Sequence, residues 1–309
     1  MSCSMPALER RLLGRTGFGV TFIGFGALEI GRDWGLGDEV QRRRPDEAAA
    51  AQVLNGVLDL GINLIDTARA YHLSEERVGR AISHRRSEFI LASKCGEHSA
   101  DPGTYYDFSY EAVKASIDMS LRLLQTDRID IMQIHFGPDP ERVLAEGETL
   151  RAMREAQAEG KVRFLGASPP THLIGPCIER GVFDVLQVEY SLLNPAAGRL
   201  IEEAARRGIG VLVRGGLAMG RLTGKARALA AADTGLQRRL APFLDLVDGD
   251  WDRLPEVALA FLYTSPGVSC VLVGSKSLDH VRAAVEIAGR GFAPEFLEAV
   301  REAVGRVAA

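Results

Sequence analysis

Apolar runs alternate with amphipathic stretches along most of the chain. Eight runs are apolar enough to predict buried strands, at residues 21–25, 62–66, 89–94, 129–135, 162–168, 185–189, 209–214 and 268–274. Helical spacing of apolar residues predicts helices between them, at residues 46–60, 74–82, 109–124, 147–159, 170–180, 200–207, 255–264 and 278–288. This strict alternation predicts a parallel sheet, and eight repeats predict an α/β fold closed as a (β/α)8 TIM barrel.

Further elements are expected at both ends of the chain and between the repeats. Glycines between short apolar pieces over residues 11–20 predict an N-terminal β-hairpin, and residues 292–307 predict an extra C-terminal helix. Asp46 is expected to cap the first long helix. Loops that line a pocket are expected at residues 31–37, 101–108 and 215–253, and a helix near residues 226–240 is expected to interrupt the last of them. Because no shift in composition marks a boundary, a single domain over residues 1–309 is predicted.

A glycine-rich turn after the first predicted strand raises the alternative of an open, doubly wound sheet. Gly24 and Gly26 match the start of a dinucleotide fingerprint, but Glu29 stands where the third glycine is required. A glycine-rich loop also follows in place of the required helix. Since the chain offers neither a phosphate-binding turn of this kind nor a recognisable edge strand, the closed barrel is favoured.

Composition says more about partners than about the fold. The 309 residues are 46% hydrophobic and 25% charged, and the formal net charge of −4 argues against nucleic acid and anionic membranes as partners. No apolar run is long enough to span a membrane, and no signal-peptide pattern is found, so a cytoplasmic location is expected. Four separated cysteines predict reduced packing thiols, and no metal-ligand spacing is recognised.

The loop after the second predicted strand carries a carboxylate and a phenol. The apolar run ends at Asp66, and Tyr71 follows five residues later. Ser74 is expected to cap the next helix, whose first turn is favoured by Glu75 and Glu76. Taken alone, Asp66 could be a turn residue and Tyr71 a packing aromatic, so the prediction of a site depends on the other strands.

Other predicted strands also carry polar residues at or near their carboxyl ends, which are Lys94, His135, Ser168, Gln187, Arg214 and the stretch Gly274-Ser275-Lys276. The carboxyl ends of all strands in a closed barrel converge on one cavity, where the active sites of such barrels lie. A single residue of this kind would be a solvated charge, or a core residue whose hydrogen bonds are made within the protein. Several at one face predict an active site.

Four of these side chains suit proton transfer to a carbonyl oxygen. The phenol of Tyr71 has an ordinary pKa near ~10, and a nearby ammonium such as Lys94 is expected to lower that pKa. Asp66 is expected to pair with Lys94 and to keep it charged, while His135 can bond the substrate oxygen or share the proton. Because this set contains no nucleophile–base pair, a hydride must come from a cofactor.

Motifs spread over nearly the whole chain carry a family resemblance, at residues 13–17, 63–68, 74–79, 92–94, 130–135, 160–168, 187–194 and 274–277. Through them the chain resembles the aldo-keto reductases, nicotinamide-dependent enzymes built on a (β/α)8 barrel. The resemblance implies that Tyr71 is the general acid and base, that Lys94 and Asp66 tune it, and that His135 orients the carbonyl.

The resemblance also implies a bound cofactor beside a small-molecule carbonyl substrate. Family members usually bind NADPH in an extended pose across the barrel mouth, so Ser168 and Gln187 are expected to contact the nicotinamide carboxamide. The other implied cofactor-binding residues are Gly26, Arg214, Leu217, Gly274, Ser275, Lys276 and His280. Lys276 favours a 2′-phosphate and hence NADP, while His280 in place of the usual arginine keeps NAD as an alternative.

Several positions depart from the family pattern. Pro169 replaces an asparagine, Arg214 replaces a stacking aromatic, and His72 after Tyr71 is expected to narrow the substrate entrance. Two functions are therefore carried forward. The favoured one is an NAD(P)H-dependent oxidoreductase that reduces aldehydes or ketones, or oxidises the alcohol or sugar. The alternative is a regulatory or redox-sensing barrel with little turnover, like the channel β-subunit relatives, and a phosphate-handling barrel lyase is a weaker third.

Overall fold

A closed barrel of parallel strands forms the centre of the structure, a computed structural model that describes residues 8–308. Within this range the strands are β1 (Arg10–Leu12), β2 (Gly19–Thr21), β3 (Ile23–Gly26), β4 (Leu64–Asp66), β5 (Ile90–Cys95), β6 (Glu97–Ala100), β7 (Gly103–Tyr106), β8 (Ile129–His135), β9 (Val162–Ser168), β10 (Val185–Glu189), β11 (Gly210–Arg214) and β12 (Cys270–Gly274). The barrel order is β3-β4-β5-β8-β9-β10-β11-β12, and β12 pairs with β3 to close it.

Helices follow the barrel strands and cover their outer faces. Over the described residues they are α1 (Leu28–Gly31), α2 (Glu39–Arg42), α3 (Glu47–Asp59), α4 (Ser74–Ile82), α5 (Tyr110–Leu124), α6 (Pro140–Glu146), α7 (Glu148–Ala158), α8 (Ile174–Arg180), α9 (Gly198–Arg206), α10 (Ala226–Ala232), α11 (Thr234–Leu244), α12 (Leu254–Thr264), α13 (Leu278–Arg290) and α14 (Pro294–Ala308). Between residues 8 and 308, no helix combines the length and the apolar character that crossing a membrane requires.

The predicted architecture is confirmed in its main parts. The (β/α)8 barrel is closed, β1 and β2 form the N-terminal hairpin, and α14 is the extra C-terminal helix. A single domain over residues 1–309 stays a prediction, because residues 1–7 and 309 lie outside the described residues.

The N-terminal hairpin packs against the amino-terminal end of the barrel. Leu13 and Val20 are fully buried and pack with inward-facing strand residues such as Leu64. Gly14, at φ 50°, approaches the start of β11 so closely that a Cβ would fall 2.3 Å from the nitrogen of Gly210. The opposite end of the barrel, where the strands finish, is therefore the end that carries a site.

One of the two predicted helix caps is confirmed and the other is wrong. Asp46 caps α3 and accepts a 2.8 Å hydrogen bond from the N–H of Ala49. Ser74 is the first residue of α4 and does not cap it. Its fully buried hydroxyl instead donates to the carbonyl of Ala27 and lies 2.8 Å from the hydroxyl of Thr67. Because the Ser74 hydroxyl is buried, it bonds Thr67 and Ala27 and is not available to the first N–H groups of α4.

Some elements differ from those predicted. The hairpin β6–β7 occupies most of the segment expected as a loop at residues 101–108, and α6 was not predicted. The single helix expected near residues 226–240 is divided into α10 and α11, because Asp233 ends α10 and accepts the first N–H groups of α11. The first barrel strand begins at Ile23, since Thr21 pairs with Arg10 in the hairpin.

The cysteines of the described residues are packing thiols. Cys95, Cys177 and Cys270 are free and buried. Burial raises the pKa of Cys95 and of Cys177 to about 12, so both thiols stay protonated near neutral pH. Cys3, which belongs to the same prediction, lies outside the described residues.

Gly79 provides a test of the helix packing around the barrel. Replacing glycine by alanine in an exposed helix usually stabilises it by up to about 1 kcal/mol. At Gly79, however, a Cβ would fall 2.1 Å from the carbonyl oxygen of Leu123 on α5. We therefore predict that Gly79→Ala lowers the free energy of unfolding by about 1–3 kcal/mol, measured by urea unfolding.

The matched control is Gly305→Ala on α14, where an added Cβ meets nothing within 4 Å. This variant is expected to keep or slightly raise the free energy of unfolding. Wild-type stability of Gly79→Ala would contradict the close packing of α4 on α5.

Candidate active site

The carboxyl ends of neighbouring barrel strands bring the predicted catalytic residues together. Asp66 ends β4, Lys94 lies near the end of β5, and His135 ends β8. Ser168 ends β9 and stands beside His135 in register. Tyr71 lies in a short 3-10 turn that follows β4. These side chains therefore share one end of the barrel.

A buried ion pair joins β4 to β5. Lys94 is 1% exposed, and its Nζ donates to Oδ2 of Asp66 at 2.6 Å and to the carbonyl of Thr67 at 2.9 Å. The other carboxylate oxygen, Oδ1, accepts the side-chain amides of Gln133 at 3.0 Å and Gln187 at 2.9 Å. Burial lowers the pKa of Lys94, but the Asp66 carboxylate outweighs it, and the pKa lies above its ordinary value. Lys94 is therefore a fixed cation.

The protonation of Tyr71 differs from the sequence-based expectation. Nζ of Lys94 lies 4.8 Å from the centroid of the phenol ring. Burial raises the pKa of Tyr71, the Lys94 ammonium lowers it and the Asp66 carboxylate raises it, so the pKa lies above its ordinary value. The expected net lowering is wrong, because burial outweighs the cation. The phenol stays protonated near neutral pH, which is the form that donates a proton.

A carboxylate that was not predicted lies behind His135. Glu97 begins β6 and is 7% exposed, and its Oε2 lies 2.9 Å from Nδ1 of His135. Thr104 and Tyr106 of β7 place hydroxyls beside the same carboxylate, and a guanidinium nitrogen of Arg32 lies 4.0 Å away. Burial raises the pKa of Glu97, but the contact with His135 and the other partners bring it down to about 2. Glu97 is therefore ionised.

His135 meets the phenol from the side. Its ring packs edge to face on Tyr71, with the ring centroids 5.9 Å apart. Burial lowers the pKa of His135, Glu97 raises it, and the Lys94 ammonium lowers it, so the pKa lies below its ordinary value. The imidazole is therefore neutral near pH 7.

A third buried carboxylate holds the turn that carries Tyr71. Glu75 is fully buried and accepts a 2.6 Å hydrogen bond from the hydroxyl of Ser93, the residue before Lys94. Arg69 in the same turn as Tyr71 donates to the other oxygen of Glu75 at 3.3 Å. This contact ties the turn to β5, and it was not expected from the acidic first turn of α4.

His72 was expected to narrow the substrate entrance, but its side chain is buried against β6. Its backbone has a φ of 51°, and Nδ1 lies 2.7 Å from the hydroxyl of Ser99. Nε2 lies 3.8 Å from the carboxylate of Asp101. His72 therefore fastens the Tyr71 turn to the hairpin β6–β7.

The residues predicted at the nicotinamide end lie close together. The hydroxyl of Ser168 lies 3.4 Å from the amide oxygen of Gln187, whose nitrogen is already bound to Asp66. Arg214 ends β11, remains partly exposed, and pairs with Glu189 at 3.1 Å. Leu217 follows that strand and packs against the core.

The residues predicted at the phosphate end cluster after β12. Gly26 and Gly274 are partners in register, so no side chain stands between β3 and β12 at the rim. The Ser275 hydroxyl accepts the N–H of Ser277 and lies 3.2 Å from Nδ1 of His280. The structure therefore brings these predicted residues to one edge of the mouth.

Lys276 lies at this edge but is already engaged. Its ammonium donates to the backbone carbonyls of Gln41 and Arg43, the latter at 2.6 Å. These carbonyls belong to the strap, by which we mean residues 38–43 around α2. Glu29 also places its carboxylate beside the backbone of Lys276. A 2′-phosphate would therefore compete with the strap for this cation.

The groups present fit a nicotinamide dinucleotide. Ser168 and Gln187 offer a hydroxyl and an amide, which suit a carboxamide. At the other end, α13 begins without a side-chain cap, and its first N–H groups and Ser275 suit a phosphate. Within residues 8–308, no group of three or more His, Cys, Asp and Glu residues is arranged to hold a metal ion.

Comparisons with known proteins agree with this geometry. L-galactose dehydrogenase of Arabidopsis thaliana is 31% identical, covering 96% of this chain and 94% of that protein. D-threo-aldose 1-dehydrogenase of a Pseudomonas species is 28% identical, covering 84% and 80%. The solved holo form of an aldo-keto reductase from Bacillus halodurans is 29% identical, with a TM-score of 0.76 over 96% of each chain. The sequence model of the Aldo/keto reductase family matches residues 22–304. The chain therefore belongs to the aldo-keto reductase family and is an NAD(P)-dependent oxidoreductase.

Proposed function

We propose that this enzyme reduces a carbonyl group, and oxidises the corresponding alcohol, with Tyr71 as general acid and base. The observation that carries the proposal is the buried cation beside the phenol. Nζ of Lys94 lies 4.8 Å from the Tyr71 ring centroid and 2.6 Å from Oδ2 of Asp66. A fixed positive charge stabilises the phenolate that remains after the proton has left.

The protonation states suit reduction. Tyr71 is protonated near neutral pH, so its hydroxyl can give a proton to the carbonyl oxygen. The reduced nicotinamide, when bound, supplies the hydride to the carbonyl carbon. Lys94 then faces a phenolate, and in the reverse direction this phenolate takes the proton of the alcohol. The buried Asp66 keeps Lys94 in place in both directions.

We propose aldoses and related hydroxylated aldehydes as the substrate class, with NADP preferred over NAD. Two relatives support the substrate class, since the names of L-galactose dehydrogenase and D-threo-aldose 1-dehydrogenase describe sugar oxidation. Lys276 supports NADP as a point charge for a 2′-phosphate. Its engagement with the strap limits the expected preference. A cytoplasmic location stays a prediction.

Absorbance of the reduced cofactor at several pH values tests the activity directly. Reduction is assayed with 4-nitrobenzaldehyde and lactaldehyde, and oxidation with L-galactose and D-arabinose, each with both cofactors. We expect turnover in at least one direction. Cofactor binding without any turnover across these probes would contradict the proposal and favour a regulatory barrel.

Tyr71→Phe removes the proton and keeps the ring. We predict that cofactor affinity is retained while the reduction rate falls on the order of 10² or more, because the carbonyl oxygen loses its proton donor. The control is Tyr110→Phe, which removes a hydroxyl that bonds Glu155 at the surface. Wild-type turnover by Tyr71→Phe would remove Tyr71 from the mechanism.

Charge changes at the ion pair should move the pH profile of oxidation in opposite directions. The Lys94 ammonium lowers the pKa of Tyr71, and the Asp66 carboxylate raises it. Lys94→Met is therefore expected to shift the rising limb of the oxidation profile to higher pH, and Asp66→Asn to lower pH. Both variants are expected to lose most activity. The pH dependence of their oxidation rates is therefore compared in single-turnover measurements. Shifts in the same direction would contradict this electrostatic role.

Lys276→Ala tests the cofactor preference. We predict weaker binding of NADPH and nearly unchanged binding of NADH, because only NADPH carries the 2′-phosphate. Dissociation constants come from quenching of protein fluorescence. The control is Lys114→Ala, which removes a surface ion pair with Glu159. Equal loss of both cofactors would show that Lys276 acts only through the strap.

A further inference from the structure

A cleft of about 600 Å³ opens at the amino-terminal end of the barrel, opposite the candidate active site. It lies between the hairpin β1–β2, the segments that lead into β4, β5 and β8, and the start of β9. Four arginines line this cleft, which are Arg10, Arg86, Arg128 and Arg163. None of the residues assigned to proton transfer or to cofactor binding lies at this end, so the proposed reaction gives the cleft no role.

A buried carboxylate lines the cleft and takes up the charge of one arginine. Asp130 is 3% exposed, and its Oδ2 accepts Nη2 of Arg86 at 2.6 Å. Oδ1 of the same carboxylate accepts Nη1 of Arg163 at 3.2 Å. Arg86 also donates to the carbonyls of Phe89 at 2.8 Å and Arg128 at 3.0 Å. Asp130 and Arg86 therefore form a neutral pair that is held in place on several sides.

The other three arginines of the cleft keep free donors. Nη1 of Arg163 is used in the pair just described, whereas Nε and Nη2 meet no acceptor between residues 8 and 308. Over the same range, no hydrogen bond or ion pair engages the guanidinium of Arg10 or that of Arg128. Glu88 also lines the cleft, but its carboxylate pairs with Arg85 at 2.7 Å. The cleft is therefore positively charged, although the formal net charge of the chain is −4.

The walls of the cleft hold these donors on rigid parts of the fold. Arg10 lies on β1, and the hairpin of that strand is bound to the barrel by Asn63, whose side-chain oxygen accepts the N–H of Thr21 at 2.7 Å. The guanidinium of Arg163 lies 4.6 Å from the ring centroid of Phe18. Because these groups are already placed, a ligand that binds here has little to order.

We infer that this cleft binds an oligophosphate, by which we mean a chain of two or three phosphate groups, either free or carried by a small molecule. A guanidinium presents a planar fork of N–H donors that matches the oxygens of a phosphate group. Arg10, Arg128 and Arg163 come from three different strands or loops, so a ligand must carry several negative charges to meet all of them. The volume lies within the range of about 300–1,000 Å³ that is usual for small-ligand sites.

Isothermal titration calorimetry with inorganic tripolyphosphate tests the inference on the full chain. The titration is made in phosphate-free buffer, with and without saturating NADPH, so that the cofactor site is occupied in one arm. We expect one site per chain whose affinity is kept when NADPH is bound and falls as potassium chloride is added, because salt screens exposed charges. Absence of binding at low salt would overturn the inference. So would binding that NADPH abolishes, since that result would place tripolyphosphate in the cofactor site.

Two substitutions remove the charge of an arginine that has no bond to lose in the described part of the chain. We predict that Arg10→Gln and Arg128→Gln each weaken the binding of tripolyphosphate on the order of tenfold, and that the double variant weakens it on the order of 10². Arg163→Lys keeps the charge but loses the fork, so a smaller loss is expected. Thermal unfolding without ligand verifies that each variant is folded. Wild-type affinity in the folded double variant would remove the site.

The matched control is Arg154→Gln on α7, in a separate cleft where Glu141 and Glu179 stand beside the arginines. This variant is expected to keep the wild-type affinity for tripolyphosphate. A loss equal to that of Arg128→Gln would mean that the anion responds only to the overall charge of the protein, and the cleft would then not be a site.

The source of the oligophosphate is distinguished by a second ligand. ATP is titrated in the presence of saturating NADPH, and its affinity is compared with that of tripolyphosphate. Tighter binding of ATP, lost in the double variant, would support a nucleotide whose organic part packs near Phe18 and Phe89. Tighter binding of tripolyphosphate, lost in the same variant, would support the free chain. Binding of both ligands that survives in the double variant would contradict the inference.

Discussion

The buried pair of Lys94 and Asp66 is the interaction on which the catalytic end of the barrel depends. An ammonium with 1% exposure is tolerated only because its charge and its N–H groups have partners. Asp66 supplies the opposite charge, and the amides of Gln133 and Gln187 satisfy its second oxygen. Those partners come from β4, β8 and β10, so one cation joins several barrel strands. Removal of Asp66, for example, would leave the Lys94 ammonium buried without its opposite charge.

Two buried carboxylates lie against the proposed catalytic residues. Asp66 fixes Lys94, which stands beside the phenol of Tyr71. Glu97 lies 2.9 Å from Nδ1 of His135, whose ring meets that phenol edge to face. The two pairs come from different layers, because Asp66 lies within the barrel and Glu97 lies on the hairpin above it. The hairpin β6–β7 therefore contributes a contact to the catalytic end of the barrel.

The barrel could be predicted because its strands are buried on both faces and appear as apolar runs. Asp66 and Lys94 were found for a related reason, since each breaks such a run at the carboxyl end of a strand. Glu97 was not found, although a carboxylate three residues after Lys94 was a usable signal. It lies in a polar hairpin without an apolar period. The direction of the Tyr71 pKa was also missed, because burial depends on packing that no local pattern contains.

The strap has a consequence for how tightly a dinucleotide that carries a 2′-phosphate can bind. Two backbone carbonyls, from Gln41 and Arg43, hold the ammonium of Lys276. A phosphate that takes this ammonium must first displace them, so the measured affinity is the intrinsic one reduced by the fraction of molecules with the strap released. Substitutions within the strap, far in sequence from β12, would therefore change the affinity for NADPH without touching the cofactor.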